Sequence, residues 1–180
     1  FLDIKEQPDL QTDLFIIALS DSSMPESLHD IDLKQVPAVH TAGAVSLNIL
    51  KHTSANYGVL YPLQSLRKGM KHIPEIPFLF EGNNEGTELF IEQFAKTLSN
   101  NVTHADDDVR LRLHTAAVVV NNFTNYLYSV AESFCEKGNV DFNLLKPLIK
   151  ETADRVMENS PRQVQTGPAM RKDITTLDKH

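Results

Sequence analysis

The first hundred residues carry short apolar runs separated by polar turns, whereas the remainder carries long segments whose apolar residues recur every three to four positions. Asp13–Leu19 (DLFIIAL) is apolar throughout after its first residue, the pattern of a strand buried on both faces, and it leaves through Ser20-Asp21-Ser22-Ser23. Ser22 or Ser23 can cap a short helix with Pro25 near its first turn. Val36–His40 predicts a second strand ending in His-Thr-Ala-Gly, and Ser46–Leu50 a weak helix. Asn56–Tyr61 predicts a third strand stopped by Pro62, and Pro77–Phe80 a fourth, followed by the turn Gly82-Asn83-Asn84. Glu85–Leu98 places Leu89, Phe90, Phe94 and Leu98 at helical spacing, and Val102–His104 fits an edge strand. Strands alternating with helices predict an α/β layer with at least partly parallel pairing.

From Asp106 the period becomes helical. Asp106-Asp107-Asp108 supplies a cap and favourable charge for a helix that runs to about Lys137 and stops at Gly138. Asp141 or Asn143 caps the next helix, which reaches Glu158–Asn159 and tolerates Pro147 in its first two turns. Pro168 can start a last helix ending near His180. The C-terminal part therefore reads as all-helical, and no internal repeat or low-complexity segment is present.

The first of these helices holds the most informative segment. Between Arg112 and Glu132 nineteen residues, LHTAAVVVNNFTNYLYSVA, carry no formal charge, and four of them are His or Asn. At about 100° per residue, with His114 at zero, Asn121 falls near −20°, Asn125 near +20°, and Arg110 and Tyr128 near −40°. Val119, Phe123, Leu127 and Val130 form an apolar stripe on the other side. An ordinary surface helix fills its polar face with Lys and Glu. His, Asn and Tyr instead suit directional hydrogen bonding, so this face either joins a tight network with neighbouring backbone or lines a wet pocket; unpaired in a dry interior, each such group costs about 1–3 kcal/mol. Three Asn and one His argue against a membrane span.

Composition narrows the function classes. Hydrophobic residues make up 41% and charged residues 23% of 180 positions, as in soluble globular proteins. The net charge of −7 and the lack of a basic stripe argue against nucleic acid as a partner, since Arg67, Lys68 and Lys71 form only a short cluster beside Gly69. The single cysteine, Cys135, excludes an internal disulfide, fits a reducing cytoplasmic compartment, and sits on an apolar helix side as a packed thiol. The acidic start FLDIKEQPDL contains no signal-peptide core and no initiator Met. The seven histidines show no metal-ligand spacing, so no metal is expected.

Five strings in order, IALSDSS, VHTAG, GVLYPLQS, LHTAAVVVNNFTNYLY and QTGPAMRKD, resemble the Rossmann-like proteins whose helical C-terminal half is domain of unknown function 2520. These are relatives of pyrroline-carboxylate reductase and of the phosphogluconate-dehydrogenase-like enzymes. The resemblance spans essentially the whole chain. It implies α/β plus all-α architecture: an N-terminally incomplete, parallel-sheet dinucleotide-binding domain over 1–104, then a helical dimerisation domain over 105–180. It also implies NADP or NAD as cofactor, a homodimer through the C-terminal helices, and an active site between the domains. The family's glycine-rich phosphate loop would precede Phe1, and no GxGxxG occurs here.

Position supplies the candidate site residues. Ligands of such sheets sit beyond the carboxyl ends of the strands. Three turns occupy those ends: Ser20, Asp21 and Ser22; His40, Thr41 and Gly43; and Tyr61 to Gln64. The first two are candidate cofactor contacts, with Gly43 allowing close approach and His40 or Thr41 able to bond a carboxamide or ribose hydroxyl. Equally, they can be turn residues and nothing more. The related dehydrogenases carry a catalytic Lys on the first long helix of the second domain, but no Lys lies between Arg112 and Lys137. His114 is then the available acid/base, Asn125 and Asn122 its catalytic helpers, and Tyr61, Gln64 and Asn121 substrate contacts. Gln165 and Arg171 either belong to a helix start capped by Thr166 or bind a substrate carboxylate or phosphate. The expected function is an NAD(P)-dependent oxidoreductase of a small acid, imine or carbonyl. The alternative is a non-catalytic nucleotide- or metabolite-binding homodimer, favoured by the missing Lys and missing loop.

Overall fold

The computed structural model describes residues 10–168 and 170–178. Most of the acidic N-terminal stretch and the far end of the expected last helix lie outside the described residues.

Five strands form one sheet in the order β1 (Phe15–Ile17), β2 (Ala38–His40), β3 (Tyr57–Pro62), β4 (Phe78–Gly82) and β5 (Val102–His104). Three of the four pairings are parallel, and β3 pairs with β4 antiparallel, Leu60 opposite Phe80. The exception has a local cause. The other connections contain a helix that carries the chain back across the layer, while residues 63–77 form no helix and simply reverse direction.

Burial on both faces explains the apolar runs. Ala38, Val39 and His40 are all buried, although neighbouring residues of a strand point to opposite sides. On one side Ala38 packs with Met24 and Leu28 of α1 (Met24–Leu28) and with Leu50 of a 3-10 helix (Leu47–Leu50). On the other, Val39, Leu60 and Phe80 pack against Ile91 and Ala95 of α2 (Glu85–Leu98). Asn84 caps α2 by accepting the Thr87 amide at 3.0 Å. Gly58 on β3 makes the close packing possible, because a Cβ there would stand 2.5 Å from Ile91 Cδ1 and 2.2 Å from the Glu81 carbonyl. Ser23 occupies the cap position of α1, but its hydroxyl donates to the Ser20 carbonyl at 3.0 Å instead of capping.

The long helix departs from regularity. Asp106 caps α3 (Asp107–Ala117) by accepting the Val109 amide at 2.8 Å, as the acidic triplet predicts. A π-helical turn succeeds it over Val118–Phe123, then α4 (Thr124–Lys137). By contacts, the chain falls into two compact units, 1–124 and 125–180, so α3 groups with the sheet. The second unit is helical: α4, a 3-10 turn (Phe142–Leu145) capped by Asp141, α5 (Lys146–Glu158) and α6 (Ile174–Leu177). The last helix begins later than Pro168. Asp173, not Thr166, caps it by accepting the Thr176 amide at 3.1 Å, and Lys172 at φ 55° turns the chain just before it.

One ion cluster joins the elements of the first unit. Arg110 on α3 is 1% exposed; its guanidinium donates to Glu81 of β4 at 3.1 Å, to the Val45 carbonyl at 2.7 Å, and to Asp107 one turn earlier. Asp107 also accepts the Leu47 amide at 3.1 Å. Removing one member of a buried ion cluster leaves the others uncompensated. Arg110→Met is therefore expected to cost about 3 kcal/mol of stability, read as a lower midpoint in urea unfolding. A change below about 1 kcal/mol would show that the clamp is replaceable.

Candidate functional site

The clamp fixes the next turn of α3, and there His114 meets β3. The Tyr61 hydroxyl and His114 Nδ1 are 2.9 Å apart, with the rings in edge contact at a centroid distance of 5.8 Å. Gly43 closes against this pair: a Cβ there would lie 2.4 Å from His114 Nδ1 and 2.9 Å from Tyr61 Cζ. Any side chain would push the two rings aside, so the turn after β2 and the end of β3 meet at one point. Burial, and then the charge of Asp21, push the Tyr61 phenol above its usual pKa. The phenol is thus protonated at neutral pH and able to donate.

Beside the pair lies a cavity of about 540 Å³. Its polar wall is Tyr61, Gln64, Ser65, His114, Asn121 and Asn122. Its apolar wall is Leu63, Leu113, Ala116, Ala117, Val118 and Val120. The π turn accounts for two successive asparagines sharing this wall. An i→i+5 turn is wider than an α turn, so each residue advances less around the axis, and the 100° projection ceases to hold past Ala117. Asn125 stands in the first turn of α4, exposed, in the second unit. Gln165 and Arg171 are exposed in the loops of that same unit, where the Gln165 amide donates to the Thr166 carbonyl at 3.4 Å.

At the ends of β1 and β2, Asp21 is close enough to act electrostatically on both Tyr61 and His40. Ser20 and Ser23 hydroxyls are 2.7 Å apart, and Ser22 is in the same turn. The Thr41 amide donates to the Ile17 carbonyl at 3.3 Å, extending the β1–β2 pairing into the turn. His40 is fully buried; its Nδ1 accepts the Ala42 amide at 3.2 Å, which leaves the proton on Nε2. Nε2 reaches no partner within hydrogen-bond geometry, although the Ser46 carbonyl is near enough to favour the protonated ring slightly. Burial first, and the Arg110 charge second, lower the His40 pKa to about 4. This neutral ring holds the Thr41–Gly43 turn from beneath. Around Arg110, burial raises the Glu81 carboxyl, whereas Asp107 is held low. Burial would raise Asp107 too, but hydrogen bonds from Ser46, Arg110 and Leu47 outweigh it.

Sequence reasoning took Arg110 only as part of a polar helix face. The available signal was its spacing, one turn after Asp106-Asp107 and one turn before His114.

The parallel-dominated sheet, helices on both its faces and a helical continuation define a Rossmann-like α/β protein with its candidate site at the strand ends. The chain belongs to the family described as domain of unknown function (DUF2520), which matches residues 76–180. It is similar to a protein from Bacteroides fragilis described as a "putative NADP oxidoreductase": 38% identity, TM-score 0.89, covering 100% of this chain and 71% of that one. It also resembles a protein from Thermotoga maritima at 22% identity and TM-score 0.77, over 93% of this chain and 69% of that one. At that identity the likeness concerns the fold alone. No curated protein matches the chain in sequence. Among the described residues no helix is long and apolar enough to cross a membrane.

His40 makes stability depend on pH. With a folded pKa of about 4 against 6.5 for the free ring, the unfolded chain binds the proton first as pH falls. Stability contributed by the neutral ring is complete above pH 6.5 and is lost toward pH 4, on the order of 3 kcal/mol in all. Glu81, with its raised carboxyl, acts in the opposite direction at the acid end. The comparison that isolates the histidine is therefore wild type against His40→Asn in urea unfolding between pH 7.5 and 4.5. The difference between them should shrink on acidification; a constant difference removes this role.

Proposed function

We propose that the chain forms the substrate-facing part of an NADP-dependent oxidoreductase, in which Tyr61 and His114 act together as the acid/base for a small acid, imine or carbonyl compound. The observation that carries the reading is the 2.9 Å hydrogen bond between Tyr61 and His114 at the carboxyl end of β3, in the wall of a 540 Å³ cavity. Ligand sites of this fold class lie at such strand ends, and cavities of this size suit small molecules. The name carried by the Bacteroides fragilis structure supports the cofactor assignment. Kinship with pyrroline-carboxylate reductase and the phosphogluconate-dehydrogenase-like enzymes is part of the same proposal.

The residues present fit the nicotinamide end of such a cofactor. Gly43 lets the β2 turn pack directly on the Tyr61–His114 pair, and Asp21 and Thr41 stand at the neighbouring strand ends beside which a nicotinamide would lie. When bound, the nicotinamide supplies or accepts the hydride. Tyr61 gives its proton to the substrate oxygen or nitrogen, and His114 replaces it through Nδ1 while its Nε2 takes a proton from solvent, so that the ring stays neutral; in the oxidising direction the same path runs in reverse. Asn121, Asn122 and Gln64 orient the substrate through neutral hydrogen bonds. Aligned carbon chemistry and one proton relay account for the residue types without a lysine.

The second part of the proposal is assembly as a homodimer. In α4, Leu127, Val130 and Phe134 succeed one another at helical spacing and are 64%, 48% and 79% exposed. Val119 and Phe123, expected on the same apolar stripe, are 51% and 58% exposed. Exposed apolar residues at helical spacing, as on α4, mark an association face, and the chemistry of a second copy matches it. Light scattering at micromolar concentration should report a dimer, and Leu127→Glu should convert it to monomer. A monomeric wild type removes this part.

For the reaction, Tyr61→Phe and His114→Asn in the full-length protein should each lower NADPH-dependent turnover about 100-fold with a nearly unchanged melting temperature. A purely structural His114 would instead lower stability by about 1–3 kcal/mol, with activity following the folded fraction. NADPH binding with no turnover on any carbonyl or imine would leave the non-catalytic binding role.

A further inference from the structure

The charge of the cavity wall separates small acids from neutral carbonyl and imine compounds as substrates. All twelve lining residues are formally neutral or, in the case of His114, engaged through Nδ1 with Tyr61. Polar contacts there are amides and hydroxyls, from Gln64, Ser65, Asn121 and Asn122. Arg67 and Lys68 follow the lining Ser65 by two and three residues in an exposed loop but are not part of the wall, and the two arginines of α3 nearest His114 are committed or directed elsewhere. Arg110 is 1% exposed and spends its guanidinium on Glu81, Asp107 and Val45. Arg112 stands two residues before His114, about 200° around α3 and hence on its far side. The charge that acts on the Tyr61 phenol is negative, that of Asp21. A carboxylate or phosphate ester entering this wall would lose hydration and meet no lysine or arginine among the residues that line it, which is costly, whereas amides and hydroxyls satisfy carbonyl and hydroxyl groups well.

Resting on the oxidoreductase reading, we infer that the cavity takes an uncharged, partly apolar carbonyl or imine compound bearing neutral hydrogen-bonding groups, and rejects 2-oxo acids and phosphate esters. Gln64, Asn121 and Asn122 are then the residues that set specificity, and the leucine, alanine and valine side chains of the apolar wall hold the hydrocarbon part.

The experiment uses full-length protein with NADPH and matched substrate pairs, each a 2-oxo acid and its methyl ester or primary amide. The neutral member should exceed the acid by about 100-fold in kcat/KM. In parallel, thermal shift and calorimetry in the presence of NADP⁺ measure binding of the same pairs without turnover, and the neutral member should again bind more tightly. Gln64→Lys supplies the missing cation and should narrow the gap by about tenfold or more. Equal or better turnover of the acids overturns the inference while the oxidoreductase reading stands. Tighter binding of the neutral members with no turnover supports the inference and overturns the oxidoreductase reading. Tighter binding of the acids, or binding of neither member of any pair, overturns the inference.

Discussion

The buried guanidinium of Arg110 is the contact on which the site depends. It draws together three elements that are distant in sequence: Glu81 on β4, the Val45 carbonyl after β2, and its own helix through Asp107. A charge this buried is tolerated only when its partners surround it, so the three elements have little freedom to separate. One turn later on the same helix face comes His114, which is thereby set against Tyr61, and the loop pinned at Val45 brings Gly43 against both. His40 adds to the arrangement from below as a neutral ring, its protonation opposed by burial and by the same guanidinium. Structural ion pairing and the candidate chemistry thus share one helix face.

The change of helical geometry at the end of α3 decides what the cavity offers. A regular α-helix would carry Asn121 and Asn125 over His114. The π turn at Val118–Phe123 changes the phase, and Asn121 and Asn122 line the cavity beside apolar residues of the same segment. Single π turns inside α-helices recur at functional sites, because they re-aim side chains that α geometry would send elsewhere. The clustered β-branched residues Val118, Val119 and Val120, stiff at χ1, give this segment a weaker preference for regular α-helix.

Several elements were legible because their causes are local. Glu85–Leu98 announced itself through the spacing of Leu89, Phe90, Phe94 and Leu98, and its observed limits are the same. Val102–His104 was equally plain. The β3–β4 reversal was not, since parallel and antiparallel strands read alike in an apolar run and the direction depends on where a helix-free connection leads. The start of the last helix was misplaced because Pro168 and Thr166 looked like a start. The chain instead makes one further turn at Lys172 before Asp173 caps it.

By itself, the sequence determined the α/β order of elements, the charge-free helix with His114 on its polar face, and the strand-end turns containing Asp21, Gly43 and Tyr61. These arise from periodicity, capping and turn chemistry, which act within a few residues. Only the tertiary structure decided that Tyr61 and His114 would be hydrogen-bonded across 53 positions, that Arg110 would be sealed rather than solvated, and that His40 would be neutral. Such outcomes depend on burial and on partners distant in sequence. Their sign, charged or neutral, exposed or paired, is set only when the sheet and α3 come together.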